Sequence, residues 1–292
     1  MRSLLFVPGD SERKLAKAIA SGADIVIVDL EDSVAAQNKS AARAVAEGFI
    51  AGLQRSKNPK IYVRVNDLST GLTDDDLAAV MKARPDGIMV PKCNSGSDLE
   101  HLAAKLRVHE AENGLDDGTT KIIAIMTETA IGVLSASTYH APCPRLAGLT
   151  WGAEDLSAAI GAMATRDGNG HYTDVFRLAR TMTILTASAV EVAAIDTVFV
   201  NFRDAEGLRL ECAEAARDGF TGKLAIHPDQ VPLINQAFTP SAEAIDQAKA
   251  IVKAFAEAGN PGVVGLDGQM YDRPHLRRAE RLLARAAAAG IT

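Results

Sequence analysis

The sequence predicts an α/β protein: a (β/α)8 TIM barrel carrying a C-terminal helical extension. Three observations predict it. Eight short β-branched runs recur between residues 3 and 228, Ala-rich stretches separate them, and no GxGxxG follows the first run. Such alternation is the pattern of consecutive βα units. Eight of them can close on themselves, whereas a doubly wound sheet usually has fewer strands and a Gly-rich first turn.

In order, the predicted strands are SLLFV (3–7), DIVIVDL (24–30), IYVRVN (61–66), GIMVPK (87–92), KIIAIMTE (121–128), LAGLTWG (146–152), IDTVFV (195–200) and KLAIHP (223–228). The first helix, SERKLAKAIASG (11–22), is opened by Ser11 as N-cap and closed by Gly22. With 47% apolar residues but only 4% aromatics, the interior must be filled by Ala, Val, Ile and Leu, the material of parallel sheets covered by helices. The eightfold count ends near residue 238, so the expected division is a catalytic barrel over 1–238 and a helical extension and lid over 239–292. Within the extension, SAEAIDQAKAIVKAFAEAG (241–259) reads as a helix. VVGLDGQMYDRP (263–274) reads as an extended link, and an Arg- and Ala-rich helix follows.

Bulk properties exclude several functions. A net charge of −6 argues against nucleic-acid binding, which needs a basic surface to displace phosphate counterions. Cys93, Cys143 and Cys212 are odd in number and lack a CxxC pair, so neither a disulfide framework nor a zinc site is expected. Pro8-Gly9-Asp10 breaks the apolar N-terminus before signal-peptide length, and no run approaches the roughly 18 apolar residues of a membrane span. A cytoplasmic protein without membrane contact is the expectation.

Barrel enzymes place their chemistry at the C-terminal ends of strands. Those ends carry Asp29, Glu31 and Asp32 after strand two, Arg64 and Asn66 on strand three, Lys92 after strand four, Glu128 after strand five, Glu154 and Asp155 after strand six and His227 after strand eight. Glu128 and Asp155 are the metal candidates, because a hard divalent cation takes a pair of carboxylates plus waters and substrate oxygens. Magnesium, with manganese as substitute, suits them better than zinc, since no His or Cys accompanies them. The plainer role for Glu154 or Asp155 is to cap the helix beginning there.

Arg64 should face the same side as Tyr62 and Asn66. Inside a barrel it needs a partner, either a substrate carboxylate or thioester oxygen, or Asp29 or Glu31 on the adjoining strand. The acidic group Asp29, Glu31 and Asp32 can also serve to orient Arg64, Lys92 and a metal-bound water. Arg13, Lys14 and Lys17 make a local basic group on an acidic chain, either a dock for nucleotide phosphates or a solvated helix face. His101, His109, His140, His171 and His275 have no ligating spacing and are expected to be structural or superficial.

LLFVPG (4–9), DLEDSV (29–34), VRVN (63–66), VPK (90–92), TETAIG (127–132), WGAEDLSAAIG (151–161), FTGKLAIHP (220–228) and DGQMYDRPH (267–275) occur in that order. In this the chain closely resembles the citrate lyase beta-subunit-like acyl-CoA lyases of the aldolase/citrate lyase superfamily, which include citryl-CoA, malyl-CoA and citramalyl-CoA lyases. The resemblance implies magnesium on Glu128 and Asp155, and catalysis by Arg64, Glu31 and Asp272. Asp272 would be the acid/base, delivered to a neighbouring subunit's barrel. It further implies an acyl-CoA channel lined by Phe6, Arg13, Lys17, Asp29, Asp32, Ser33, Val34, Ile226 and His227. The partners are then an acyl-CoA and a 2-oxo acid, in a homo-oligomer of trimer or hexamer type. Phe6, where tyrosine is frequent, and Cys93 after the VPK lysine depart from the pattern and put contacts there in doubt. A related branch that cleaves free hydroxy-oxo acids has a histidine where this chain has Asp32, and this chain also has a long C-terminal extension. Both features favour the CoA-dependent branch.

The expected reaction is therefore cleavage or formation of a 3-hydroxyacyl-CoA such as malyl-, citramalyl- or citryl-CoA. Two rivals use the same site: a thioester hydrolase, and a carrier-dependent citrate lyase beta subunit active only in a complex.

Overall fold

A computed structural model describes residues 1–54, 59–140 and 143–291. Eight parallel strands close into a barrel: β1 (Ser3–Pro8), β2 (Ile25–Asp29), β3 (Lys60–Arg64), β4 (Gly87–Val90), β5 (Lys121–Ile125), β6 (Leu146–Thr150), β7 (Ala193–Asp196) and β8 (Gly222–Ala225). β1 pairs with both β2 and β8, which leaves no free edge. Around them run α1 (Glu12–Ile19), α2 (Lys39–Ala51), α3 (Thr73–Val80), α4 (Gly96–Glu112), α5 (Ala130–Leu134), α6 (Ala153–Ile160), α7 (Asp174–Ala189) and α8 (Ala205–Asp218), followed by α9 (Gln230–Phe238).

The barrel interior is a packed core of Leu4, Ile25, Ile27, Tyr62, Met89, Ile123, Ile125, Ile195 and Leu224. Residues two apart on one strand, such as Ile25 and Ile27, share it as the period of a strand requires. Removing such a side chain from water is worth about 1.5–3 kcal/mol. Arg64, two residues beyond Tyr62, lines the pocket at the mouth. Asn66 lies past the end of β3 and does not join it: its side chain is tied to the Leu30 carbonyl (3.1 Å) and to Asp76 (2.7 Å).

Most predicted strands run two or three residues beyond the observed ones. The surplus residues lie past the last paired residue of each strand and include Lys92 and Glu128, which belong to the site. Strand seven is also displaced, starting at Ala193 and stopping at Asp196 instead of covering 195–200. The β-branched Thr197, Val198 and Val200 have strand propensity, yet only Ile195 and Asp196 find β8 partners, at Gly222 and Lys223. Pairing geometry overrides propensity there.

The chain divides into compact units at 235/236. The second unit contains α10 (Ala242–Glu257), β9 (Val263–Leu266), β10 (Gln269–Asp272) and α11 (Arg273–Ala288). Its core joins Ile251 and Phe255 of α10 with Val264, Tyr271 and Leu276. The expected extended link is instead an antiparallel hairpin, turned at Asp267 and Gly268 with φ of 50° and 77°. An Asp-Gly pair supplying two positive φ angles is a hairpin signal, and the flanking glycines obscure it. Among the described residues, no helix is long and apolar enough to cross a membrane.

Candidate active site

Register alone builds the first part of the site. Asp29 and Arg64 end adjacent strands and are Cα partners across β2 and β3. Asp29 accepts from Arg64 Nε and Nη2, each at 2.7 Å, a bidentate fork. Arg64 Nη1 lies 2.7 Å from Glu31, so the arginine has both of its candidate protein partners. Burial by itself would raise the Asp29 carboxyl, but Arg64 outweighs it and holds Asp29 below the usual carboxylate range. Arg64 stays a cation under any ordinary condition, and its guanidinium lies 4.7 Å over the Phe6 ring.

Glu31 continues the array to Lys92, whose Nζ is 2.6 Å from Glu31 and 3.1 Å from Asp155. Desolvation dominates at Glu31, whose carboxyl rises above its ordinary value despite both cations. Lys92 also has a backbone role. Its φ of 46° is left-handed, an unusual conformation for a lysine, and its N–H donates to Glu128 Oε2 at 2.6 Å.

Glu128 is buried, and desolvation together with the charge of Asp155 pushes its carboxyl up to about 8. Gly152 makes room for it: a Cβ there would sit 2.7 Å from Glu128 Cγ and 2.8 Å from Oε1. Glu154 and Asp155 occupy the first turn of α6, whose N-cap is Gly152, so neither acid is the cap residue. A pocket joins Phe6, Arg64, Glu128, Trp151, Glu154 and Asp155 above Ile125 and Leu224 of the barrel core.

A supporting set went unread in the sequence. Lys39 Nζ donates to the carbonyls of Leu30 and Glu31 and to Asn66 Oδ1, each at 2.7 Å, fixing the loop that carries Glu31. Asp76 takes the Asn66 side chain and Arg43 Nε. A lysine opening a helix carries no signal of such a job. Trp151, the chain's single tryptophan, was the available clue to a built wall.

The other expected positions are dispersed. Arg13 and Lys17 are exposed on α1, and Asp32 and Ser33 are exposed in the loop after β2, but the Val34 side chain is buried at 3% exposure and presents no surface. Ile226 is exposed, and His227 stacks on Phe202 at 4.7 Å. Asp272 belongs to the second unit, ending β10 and capping α11. Its partner is His275, a residue expected from its spacing to be structural or superficial. The His275 Nδ1 lies 2.5 Å from the Asp272 carboxylate, and this contact holds Asp272 below its usual range.

Known proteins share this architecture. The HpcH/HpaI aldolase/citrate lyase family matches residues 2–228. The chain belongs to this family. It is 32% identical to the mitochondrial citramalyl-CoA lyase of Rattus norvegicus over 98% of this chain and 86% of the rat one. It is 35% identical to the (3S)-malyl-CoA thioesterase of Cereibacter sphaeroides strain ATCC 17029, over 98% and 95% of the two chains. The solved structure of Mycobacterium tuberculosis CitE with magnesium, acetoacetate and coenzyme A superimposes with a TM-score of 0.78, at 35% identity over 98% of both chains. The chain is thus an enzyme of the aldolase/citrate lyase family, as its motifs implied.

Proposed function

We propose that the chain is a magnesium-dependent carbon–carbon lyase that cleaves, or in reverse forms, a 3-hydroxyacyl-CoA such as malyl-, citramalyl- or citryl-CoA. The products are acetyl-CoA or a homologue and a 2-oxo acid. One observation carries this: the mouth holds more carboxylate than its cations can neutralise. Asp29, Glu31, Glu128 and Asp155 share only Arg64 and Lys92, so when ionised these four acids carry two negative charges in excess, Glu154 of the same pocket adds to the imbalance, and the unmet demand falls on Glu128. Hard oxygen donors with a twofold charge deficit suit Mg2+ or Mn2+. Among the described residues no three His, Cys, Asp or Glu side chains gather as a metal cage. Two protein carboxylates leave the remaining positions to water and to the substrate's hydroxyl and carboxylate. When bound, the cation supplies Lewis-acid polarisation of those oxygens.

The chain's own residues do the rest. Asp29 and Glu31 hold Arg64 rigid, and the guanidinium donors they leave free meet the charge that develops on the thioester oxygen as the carbon–carbon bond breaks. The hydroxyl gives up its proton as it becomes the carbonyl of the 2-oxo acid, and the bonding electron pair passes to the acetyl carbon as an enolate. Asp272 of a neighbouring copy, ionised beside His275, takes up one proton and hands it to that carbon, so that none is gained or lost overall. Arg13 and Lys17 take the CoA phosphates, and Phe6, Asp32, Ser33, Ile226 and His227 border the channel. The CitE complex with magnesium, acetoacetate and coenzyme A supports both the cofactor and the substrate class.

A second function, thioester hydrolysis, is favoured by the 35% identical malyl-CoA thioesterase. Products separate the two. Malyl-, methylmalyl-, citramalyl- and citryl-CoA are each incubated with the purified chain and Mg2+, and 2-oxo acid and free CoA are measured. A lyase releases a 2-oxo acid with acetyl- or propionyl-CoA, and chelation abolishes the release. Free CoA with the intact hydroxy diacid identifies a hydrolase. Silence on every free thioester identifies a subunit that needs a carrier.

A further inference from the structure

Behind the metal side of the pocket lies a charged group that the chemistry above does not use. Trp151 follows β6, lines the pocket beside Glu128 and Asp155, and is itself fully buried. Its indole N–H donates to Asp196 Oδ1 at 2.8 Å. The other Asp196 oxygen takes Lys223 Nζ at 2.9 Å, and Lys223 also reaches Glu211 Oε1 at 2.7 Å. Lys223 and Asp196 are both 0% exposed. Glu211 Oε2 in turn accepts from Arg166 Nη2. The Arg166 guanidinium lies 3.8 Å over the Tyr172 ring, and Tyr172 meets Trp151 edge-on at 5.0 Å. The chain of contacts therefore closes on the residue where it began.

The closure also orders a loop. Residues 161–173 join α6 to α7, and Arg166 and Tyr172 form a β-bridge across them. Arg166 Nη1 donates to the Gly170 carbonyl at 2.9 Å, and Asp167 accepts from the N–H groups of Asn169 and His171. Burying Lys223 with two acids has a large desolvation cost, and hydrophobic residues of like volume would fill the space at least as well. A circuit of fixed polar geometry does what such residues cannot: it ties the loop to one orientation of one indole.

We propose that this circuit is a positioning device for the part of the substrate that becomes the 2-oxo acid. Arg166 clamps the loop, the loop holds Tyr172 on Trp151, and the immobilised indole sets the space for the substituent on the hydroxyl-bearing carbon. That substituent is hydrogen in a substrate yielding glyoxylate, methyl for pyruvate and carboxymethyl for oxaloacetate. Arg166 touches none of the reacting atoms; it acts through Tyr172 and Trp151. The inference rests on the lyase function proposed above.

Because Trp151 is the chain's single tryptophan, its fluorescence reports this wall directly. The full chain with Mg2+ is titrated with glyoxylate, pyruvate and oxaloacetate, and emission wavelength and acrylamide quenching are recorded for wild type, Arg166→Ala, Arg166→Lys and Glu211→Gln. Opening the circuit at Arg166 or Glu211 should shift emission to the red and raise quenching. It should weaken the preferred acid on the order of 10-fold and narrow its margin over the next larger one. Arg166→Lys, which keeps the charge but not the planar fork, should recover part of the affinity. In the condensation direction the Michaelis constant for acetyl-CoA should not move. If the alanine variant does not fold, Glu211→Gln carries the same test. Wild type that binds none of the three acids sinks the lyase function itself. Wild type that binds one, with variants of lower melting temperature but unchanged quenching, affinity and margin, overturns the positioning role.

Discussion

Glu110→Gln tests whether the end of the barrel away from the site is a stability device. Glu110 lies near the end of α4 and meets Arg145, just before β6, in a fork of 2.7 and 2.6 Å. It also accepts from the backbone N–H groups of Thr120 (2.7 Å) and Gly118 (3.0 Å), ahead of β5. Burial would raise this carboxyl, but the fork and the backbone donors outweigh burial and hold it at about 2 against an ordinary 4.5. That difference corresponds to about 3 kcal/mol. The adjoining Asp117, 61% exposed, leaves one side open to solvent screening, and about 2 kcal/mol remains. A folded-state value below the unfolded one makes this stability present above pH 4.5 and lost as pH falls through about 2. Urea melts of wild type and Glu110→Gln should therefore differ by about 2 kcal/mol at pH 7, by less at pH 4, and converge toward pH 2. Turnover at 25 °C should match, since nothing at the mouth has changed. A gap below about 0.5 kcal/mol at pH 7, or one that stays constant down to pH 3, would refute the linkage.

Three further outcomes follow from the site. Gly152→Ala should displace Glu128 and weaken Mg2+ binding by about 10-fold or more in calorimetry, with a small change in melting temperature. Arg13→Ala and Lys17→Ala should raise the Michaelis constant for acyl-CoA several-fold at unchanged turnover, because remote phosphate contacts are equal in ground and transition states; a collapse of turnover alone would misplace the channel. Mixing inactive Asp272→Ala with inactive Glu128→Ala chains, under conditions that exchange protomers, should restore part of the activity, since hybrid sites combine an intact metal centre with an intact acid/base. A mixed oligomer that stays inactive would show that Asp272 does not work in trans.

The sequence made the barrel legible because its signal is repetitive: each strand is a β-branched run and each polar residue at its end is conspicuous. It was less informative wherever identity was decided by pairing. β7 begins on Ala193 and Ala194, poor strand formers that pair with Gly148 and Leu149 of β6. Lys223 reads as an ordinary cation at the start of KLAIHP, and only the packing of α8 against β8 reveals that it is enclosed between Asp196 and Glu211. Val34 sits inside DLEDSV, yet its side chain points into the core. His275 stands three residues after Asp272, the spacing of a capping box, but that geometry exists only once α11 starts at Arg273. Residues that act by holding others, such as Lys39 and Asp76, have no spacing of their own to betray them.

Two glutamates on one barrel show how structure and function divide its charges. Glu110 and Glu128 are both buried, and the same desolvation acts to raise each carboxyl. At Glu110 the protein supplies the answering cation, Arg145, and two backbone donors, so the carboxyl is held at about 2 and nothing further can be gained by a ligand. At Glu128 the protein supplies one backbone N–H and sets Asp155 against it, so the carboxyl is pushed up to about 8. The cations that would relieve it are already engaged, Arg64 by Asp29 and Glu31, Lys92 by Glu31 and Asp155. Folding has thus gathered positive charge close to Glu128 and committed it elsewhere. A carboxylate satisfied by its own chain is part of the scaffold; one set beside a second carboxylate and short of cations must take up a proton or a metal ion, and in the proposed enzyme that demand is met by Mg2+.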